Sequence, residues 1–195
     1  MPILPDIKSY DALVVGLGPA GATAAYDLSR AGLSVLAIDK HTHPRYKVCG
    51  GGLSVRIEQL LDPGFKSVVE ETIFGFQFLY RGEKSITIES PSPIAYMVMR
   101  DRFDHHLVQQ ARYVGTEIHQ GEQSQSFRHL PDGVEMTTDR GCYHAKVLIG
   151  ADGGPPIDGF LKRLRYVATL LRFGQQKSAE RAWKKNSTKG NFLIH

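Results

Sequence analysis

The sequence predicts an α/β fold: a parallel sheet opened by a strand, glycine loop, helix and strand, with an antiparallel meander after it. Three observations carry the prediction. Residues 11–39 place three glycines between a short apolar run and a helical pattern. A second strand-then-helix pattern follows at 94–114. From Ile73 onward, segments with a period of two are separated by turn formers.

Taken in order, residues 12–15 are the right length for a buried parallel strand. Gly16, Gly18 and Gly21 then follow at the spacing G-x-G-x-x-G, with Pro19 and Ala20 inside the loop. Gly16 permits the tight turn, Gly18 lets a pyrophosphate approach the backbone, and Gly21 lets the helix pack close to the strands. A helix is expected over 19–31, with Ala22, Ala25 and Leu28 on one face and Gly32 at its end. Pro19 suits the first turn, where its missing N–H has no partner within the helix anyway. That turn aims free N–H groups and the positive end of the helix dipole at an anion. Residues 34–38 are the second strand. Asp39 closes it, 18 residues beyond Gly21, where a carboxylate can accept hydrogen bonds from ribose hydroxyls. The ligand so implied is a dinucleotide, FAD or NAD.

The connection 40–52 begins with Lys40 and ends in three glycines, a composition suited to close approach of a flat ligand rather than to regular structure. Ser54 is placed to cap a helix over 54–61, which Asp62-Pro63-Gly64 would end. Residues 73–80 read as one strand, 81–83 as a turn and 84–89 as the return. A strand over 94–99, Arg100 and a helix over 101–114 follow, with Phe103, Leu107, Ala111 and Val114 on one face and Gly115 closing it. Short strands at 116–120, 123–130, 134–138 and 142–146 form the meander. A separate apolar strand, 147–149, leads into Gly150-Ala151-Asp152-Gly153.

Length and composition allow one well-buried domain, with or without a tail. The net charge of +4 is unevenly spread. Residues 154–195 hold nine Lys/Arg and two Asp/Glu (+7), and residues 1–153 hold 15 and 18 (−3). The basicity therefore belongs to the tail and does not argue for nucleic-acid binding. Residues 1–10 lack the apolar core of a signal peptide, and no run approaches the roughly 20 apolar residues that span a bilayer. Cys49 and Cys142 form no Cys-x-x-Cys pair, which fits a reducing, cytoplasmic setting. The eight histidines lie in no pattern that calls for a metal site.

The order of these elements, with the Arg-x-x-Phe-Asp helix starting at Arg100 and the Gly-x-Asp-Gly end of the last strand, resembles the FAD-binding half of the flavoprotein hydroxylase superfamily. The run Pro44-Arg45-Tyr46-Lys47-Val48-Cys49-Gly50-Gly51-Gly52-Leu53-Ser54 is similar to the signature of the geranylgeranyl reductase family. That resemblance implies a Rossmann-like FAD-binding fold and a reduced flavin that saturates carbon–carbon double bonds of prenyl chains, reloaded by NAD(P)H or a ferredoxin. It implies that Gly16, Gly18, Pro19, Ala20, Gly21, Asp39 and Lys40 hold the ADP part of FAD. Arg100, a rigid fork of donors, belongs by the same resemblance near the phosphates. Gly150, Asp152 and Gly153 form a further FAD contact. Lys47, Cys49, Gly50, Gly51 and Gly52 lie beside the isoalloxazine, which makes Lys47 and Cys49 the catalytic candidates. A reactive Cys49 would need a lowered pKa, with Arg45 and Lys47 at hand to supply it.

The resemblance covers about 10–153. Beyond it the family's serine, arginine and second Gly-Asp motif have no counterpart, so the expectation is an FAD-binding domain at 1–153, truncated before its substrate-binding domain, and a basic tail at 154–195. Residues 160–173 can form a helix with Leu161, Leu164, Val167 and Leu171 as a stripe, a form able to rest on an anionic membrane surface. The abrupt change in composition where the resemblance ends favours instead an arbitrary tail left by truncation or frameshift. Two functions compete: an FAD-dependent prenyl reductase whose turnover needs the missing sheet, and a non-catalytic dinucleotide-binding fragment. A hydroxylase or halogenase shares the fold, but halogenases use a Trp-x-Trp-x-Ile-Pro stretch and the one tryptophan here is Trp183.

Overall fold

A computed structural model of the chain describes residues 8–80 and 84–153. The expected turn at 81–83 and the expected helix at 160–173 lie outside the described residues. The elements, in order, are β1 (Ser9–Val15), α1 (Pro19–Arg30), β2 (Val35–Asp39), β3 (Gly52–Ser54), two short 3-10 helices (Val55–Gln59 and Pro63–Val68), β4 (Val69–Ile73), β5 (Gly75–Tyr80), β6 (Lys84–Glu89), β7 (Ala95–Val98), α2 (Arg100–Tyr113), β8 (Glu117–Gln120), β9 (Ser124–Leu130), β10 (Gly133–Thr138) and β11 (Cys142–Gly150).

The main sheet has six strands in the order β8-β2-β1-β11-β10-β9. Its first four strands are mutually parallel, and β10 and β9 return antiparallel. This is the α/β, Rossmann-like FAD-binding fold with an appended meander. β1 and β2 are apolar almost throughout because both faces are covered. Ala12, Val14, Val35 and Ala37 face one way and pack with Ala22 and Ala25 of α1 and Phe103, Leu107, Val108 and Ala111 of α2. Tyr10, Leu13, Val15, Leu36 and Ile38 face the other way, with Val134, Met136, Tyr143 and Ala145. The register Leu13↔Leu36 and Val14↔Ala37 keeps like faces together. Each large apolar side chain buried here contributes about 1.5–3 kcal/mol.

Both helices start and stop where local chemistry says. Pro19 opens α1, and Gly32, at φ 83°, takes the left-handed conformation that ends it. Phe103, Leu107, Val108 and Ala111 form the buried stripe of α2, and Arg100 stands inside its first turn rather than ahead of it. The small sheet β3-β7-β4 adds Tyr96 and Val98 to the core of α1 and α2, and β5-β6 is a separate hairpin.

Four expectations are corrected. The helix expected at 54–61 is a strand end followed by a 3-10 turn. Residues 52–54 pair with β7, and too few remain before Asp62 for an α-helix, whose nucleus is costly. Ser54 still caps, its Oγ accepting from the Arg56 N–H at 3.4 Å. Asp62 does not end that turn but starts the next one, accepting from the Gly64 N–H at 3.0 Å. The single strand expected at 73–80 is two: β4 pairs with β7, β5 pairs with β6, and the chain changes partner at Phe74. Residues 117–120 are not part of the meander, because β8 lies parallel to β2 at the sheet edge. Finally, 142–146 and 147–149 are one strand. No Gly or Pro interrupts β11, which pairs antiparallel with β10 through Ala145 and parallel with β1 as far as Gly150.

Candidate functional site

The site forms at the carboxyl ends of β1, β2 and β11, where parallel strands place their ligand crevices. Gly16 has φ +98°, and a Cβ there would meet the Ala151 carbonyl oxygen at 2.5 Å. A Cβ at Gly21 would collide with the Gly16 carbonyl oxygen. These two glycines are packing requirements: they bring the loop, α1 and residues 150–152 together, and the Ala151 N–H donates to the Val15 carbonyl at 2.7 Å. Gly18 is different. Its missing side chain faces open space, with one atom inside 4 Å, Nη2 of Arg45 at 3.7 Å. Gly18 is the N-cap of α1; no side chain caps that end and no acid lies in its first turn. This end of α1 therefore presents backbone N–H groups and the positive end of its dipole to an anion.

Asp39, 7% exposed, is tied to the loop it serves. Its Oδ2 accepts from the Leu17 N–H at 2.7 Å and its Oδ1 from the His41 N–H at 2.8 Å. The fully buried His43 imidazole brings Nε2 to 3.7 Å from Oδ2. Burial works against the charge, but His43 first, then the N–H groups of His41 and Leu17, outweigh it and hold the carboxyl at about 2. A carboxylate has about four acceptor positions. Lone pairs thus remain for ribose hydroxyls. Neither ring nitrogen of His43 has a hydrogen-bond partner among the described residues.

Beside Gly18, through Arg45, lies a charged cluster. Asp104, fully buried in α2, accepts from Arg100 twice, Nε to Oδ1 at 2.8 Å and Nη2 to Oδ2 at 2.9 Å. Arg45 places Nη2 at 3.4 Å from the same Oδ2. The carboxylate raises the Arg100 guanidinium further above its ordinary value. Arg100 is thus not a freely solvated side chain: its fork is held by a buried acid.

Cys49 is exposed, and its thiol is lowered from the ordinary value, first by the Gly51 N–H, which reaches Sγ at 3.5 Å, then by Arg100. The lowering thus comes from the Gly51 N–H and then Arg100, rather than from Arg45 or Lys47. Gly51 is pressed under β7, where any Cβ would strike the Val98 carbonyl oxygen, so the three-glycine run is pinned to the residue next but one before Arg100. Lys40, Lys47 and Gly50 are exposed. Gly150 ends β11, Asp152 lies beside Gly16, and Gly153 has φ 68°. A chain of contacts thus links Gly16–Gly21 to Asp39 and 150–153 on one hand and, through Arg45 and Asp104, to Arg100, Cys49 and Gly51 on the other, while Lys40 and Lys47 are exposed. Arg45 and His43 were missed by sequence reasoning. No spacing marks them, because their place depends on how 40–49 folds back over the loop. Among the described residues no group of three or more His, Cys, Asp or Glu is placed to hold a metal ion, and no helix is long and apolar enough to cross a membrane.

These residues fit FAD: a glycine cradle, an uncapped helix end, a buried acid at the ribose position and surplus guanidinium charge. The FAD binding domain family matches residues 9–157. An uncharacterized protein of Methanosarcina barkeri is 31% identical over 148 residues, covering 76% of this chain and 38% of that protein. Protein FixC of Escherichia coli is 34% identical over 157 residues (74% and 36%). The geranylgeranyl diphosphate reductase of Rhodobacter capsulatus is 33% identical over 154 (74% and 37%). The chain thus spans under two fifths of the length of these relatives. Among solved structures, a geranylgeranyl bacteriochlorophyll reductase-like protein from Thermoplasma acidophilum is similar with a TM-score of 0.65 and 28% identity, over 75% of this chain and 40% of that one. The halogenase PltM, at 24% identity and a TM-score of 0.65 over 80% and 36%, shares the fold. With the cradle, the buried acid and this match in hand, the chain belongs to the FAD binding domain family, as an FAD-binding flavoprotein whose relatives include geranylgeranyl reductase and FixC.

Proposed function

We propose that the chain is the FAD-binding part of a geranylgeranyl reductase-type oxidoreductase that saturates carbon–carbon double bonds of prenyl chains. The observation that carries this reading is the loop Pro44–Ser54. It has the reductase-like sequence and is pinned by Gly51 beneath β7, beside Arg100. The relative from Rhodobacter, named for that reduction, supports it. When bound, reduced FAD would supply a hydride, one proton with two electrons, to one carbon of the double bond, and the other carbon would take a proton. The chain's own residues do the rest. The loop 16–21 and the α1 N-terminus take the phosphates, Asp39 takes the ribose, and Gly50, whose side-chain position is open, lets the backbone lie close to a flat ring. Of the two candidates beside the ring, Cys49 suits proton delivery from Sγ better than Lys47, because its thiol is both exposed and lowered. NAD(P)H or a ferredoxin is the proposed electron source, and a cytoplasmic site peripheral to a membrane is the proposed location.

The test is a graft. Residues 9–153 replace the matching segment of the Rhodobacter reductase, and FAD content and prenyl saturation by mass are measured together. Retained FAD with saturated product is expected. Retained FAD with no saturated product would count against the reductase reading and favour a hydroxylase-like or non-catalytic role.

A further inference from the structure

We infer that Arg45 is a pyrophosphate-binding residue of this crevice, held on Asp104 until a nucleoside diphosphate group arrives. The inference rests on the FAD reading above and adds a residue to it. Arg45 is the neighbour nearest to where the Gly18 side chain would be, at 3.7 Å, so it already stands beside the glycine around which phosphates approach. Its Nε is buried and has no hydrogen-bond partner among the described residues, an arrangement that costs free energy unless an acceptor is supplied.

The charge balance points the same way. Two guanidiniums, Arg45 and Arg100, share the single carboxylate of Asp104. The division is unequal. Arg100 has both fork bonds at 2.8 and 2.9 Å, and Arg45 has one contact at 3.4 Å. Asp39, the acid at the end of β2, is committed to Leu17, His41 and His43. Of the two guanidiniums Arg45 is therefore the less tightly held, and it lies next to the uncapped start of α1. An anion with several acceptor oxygens answers all three features at once. A diphosphate fits, because the planar fork of Arg45 can hold two oxygens while the helix N–H groups hold others. Arg100 stays on Asp104 and, through it, positions Arg45.

The test uses the whole apo chain, titrated with FAD by fluorescence quenching and with ADP and adenosine in competition, at two salt concentrations. Arg45→Gln is expected to weaken FAD and ADP about 30-fold, the worth of a charge-assisted pair, and to flatten the salt dependence. Adenosine binding and the melting temperature of the apo chain should not move. Arg45→Lys, a point charge without the fork, should recover part of the loss. Unchanged FAD and ADP affinity in Arg45→Gln would overturn the inference, as would an equal loss for adenosine. A lower melting temperature with unchanged affinity would show that Arg45 serves only Asp104. Should Arg45→Gln not fold, Arg45→Lys decides: weaker ADP with unchanged adenosine supports the inference, and unchanged ADP sinks it. Failure of the wild-type chain to bind FAD or ADP would instead refute the FAD reading itself.

Discussion

The glycine-loop crevice and the β5-β6 hairpin solve opposite problems. Around the crevice, β1 and β2 bury Leu13, Val14, Leu36 and Ala37 completely, and the polar groups answer one another: Leu17 to Asp39, Arg100 to Asp104. On the hairpin, Phe76 pairs with Ile88 and Phe78 with Ile86 on one face, while Gln77 and Thr87 share the other. Phe76, Phe78, Leu79, Ile86 and Ile88 remain 42–68% exposed. An isolated two-stranded hairpin is marginal in water, and a contiguous apolar face of this kind marks a contact surface. The nucleotide side of the molecule is thus sealed and mostly paired, with Arg45 Nε and the His43 ring nitrogens left without a hydrogen-bond partner among the described residues. The hairpin side has an apolar face that no described residue covers.

That contrast can be broken from either side. The largest effect is expected at Gly21. A Val there drives a Cβ into the Gly16 carbonyl, and denaturant unfolding should show a loss of at least about 3 kcal/mol together with loss of FAD. Asp104→Asn leaves two half-buried guanidiniums without their carboxylate and is expected to cost about 2–3 kcal/mol, less than a fully buried pair because both arginines reach solvent. Asp39→Asn should cost about 2 kcal/mol at pH 7, from a carboxyl moved from 3.8 to about 2. The sign is fixed by the depressed folded value. This stability is present above pH 4 and is lost as pH falls through 2, so the wild-type and Asp39→Asn curves should converge there. Phe78→Lys should change stability by no more than about 1 kcal/mol, since the side chain is mostly exposed and its ring contact is one edge-to-face pair with Phe76. A loss near that of Leu36→Ala, about 3 kcal/mol, would mean that the hairpin face is covered after all.

A subtler prediction concerns Cys49. Alkylation of its thiol should begin at lower pH than for an ordinary thiol, and Arg100→Gln should move that onset upward. An unchanged onset in the variant would remove Arg100 as a cause.

Much of the crevice was legible in the sequence because its chemistry is local. The spacing Gly16, Gly18, Gly21, the acid at the end of β2, and Arg100 at the head of α2 each follow from a short stretch and a periodic pattern. What was not legible depends on long-range placement. Arg45 and His43 gain their positions when 40–49 folds back across the loop, and no local signal encodes that return. β8 looks like any short strand until its parallel pairing with β2 is seen. β11 was divided in two because its partner changes while its backbone does not. At 54–61 the cap residue was right and the helix wrong, since Ser54 caps a turn as well as it caps a helix.

The most direct measurement is the visible spectrum of the purified chain after addition of FAD and desalting, with circular dichroism as a check on folding. Retained flavin bands are expected, and Gly18→Trp, which fills the open face of the loop, should abolish them without unfolding the chain. A folded chain that retains no flavin, or a Gly18→Trp variant that retains it as well as the wild type, would contradict the placement of FAD at this loop.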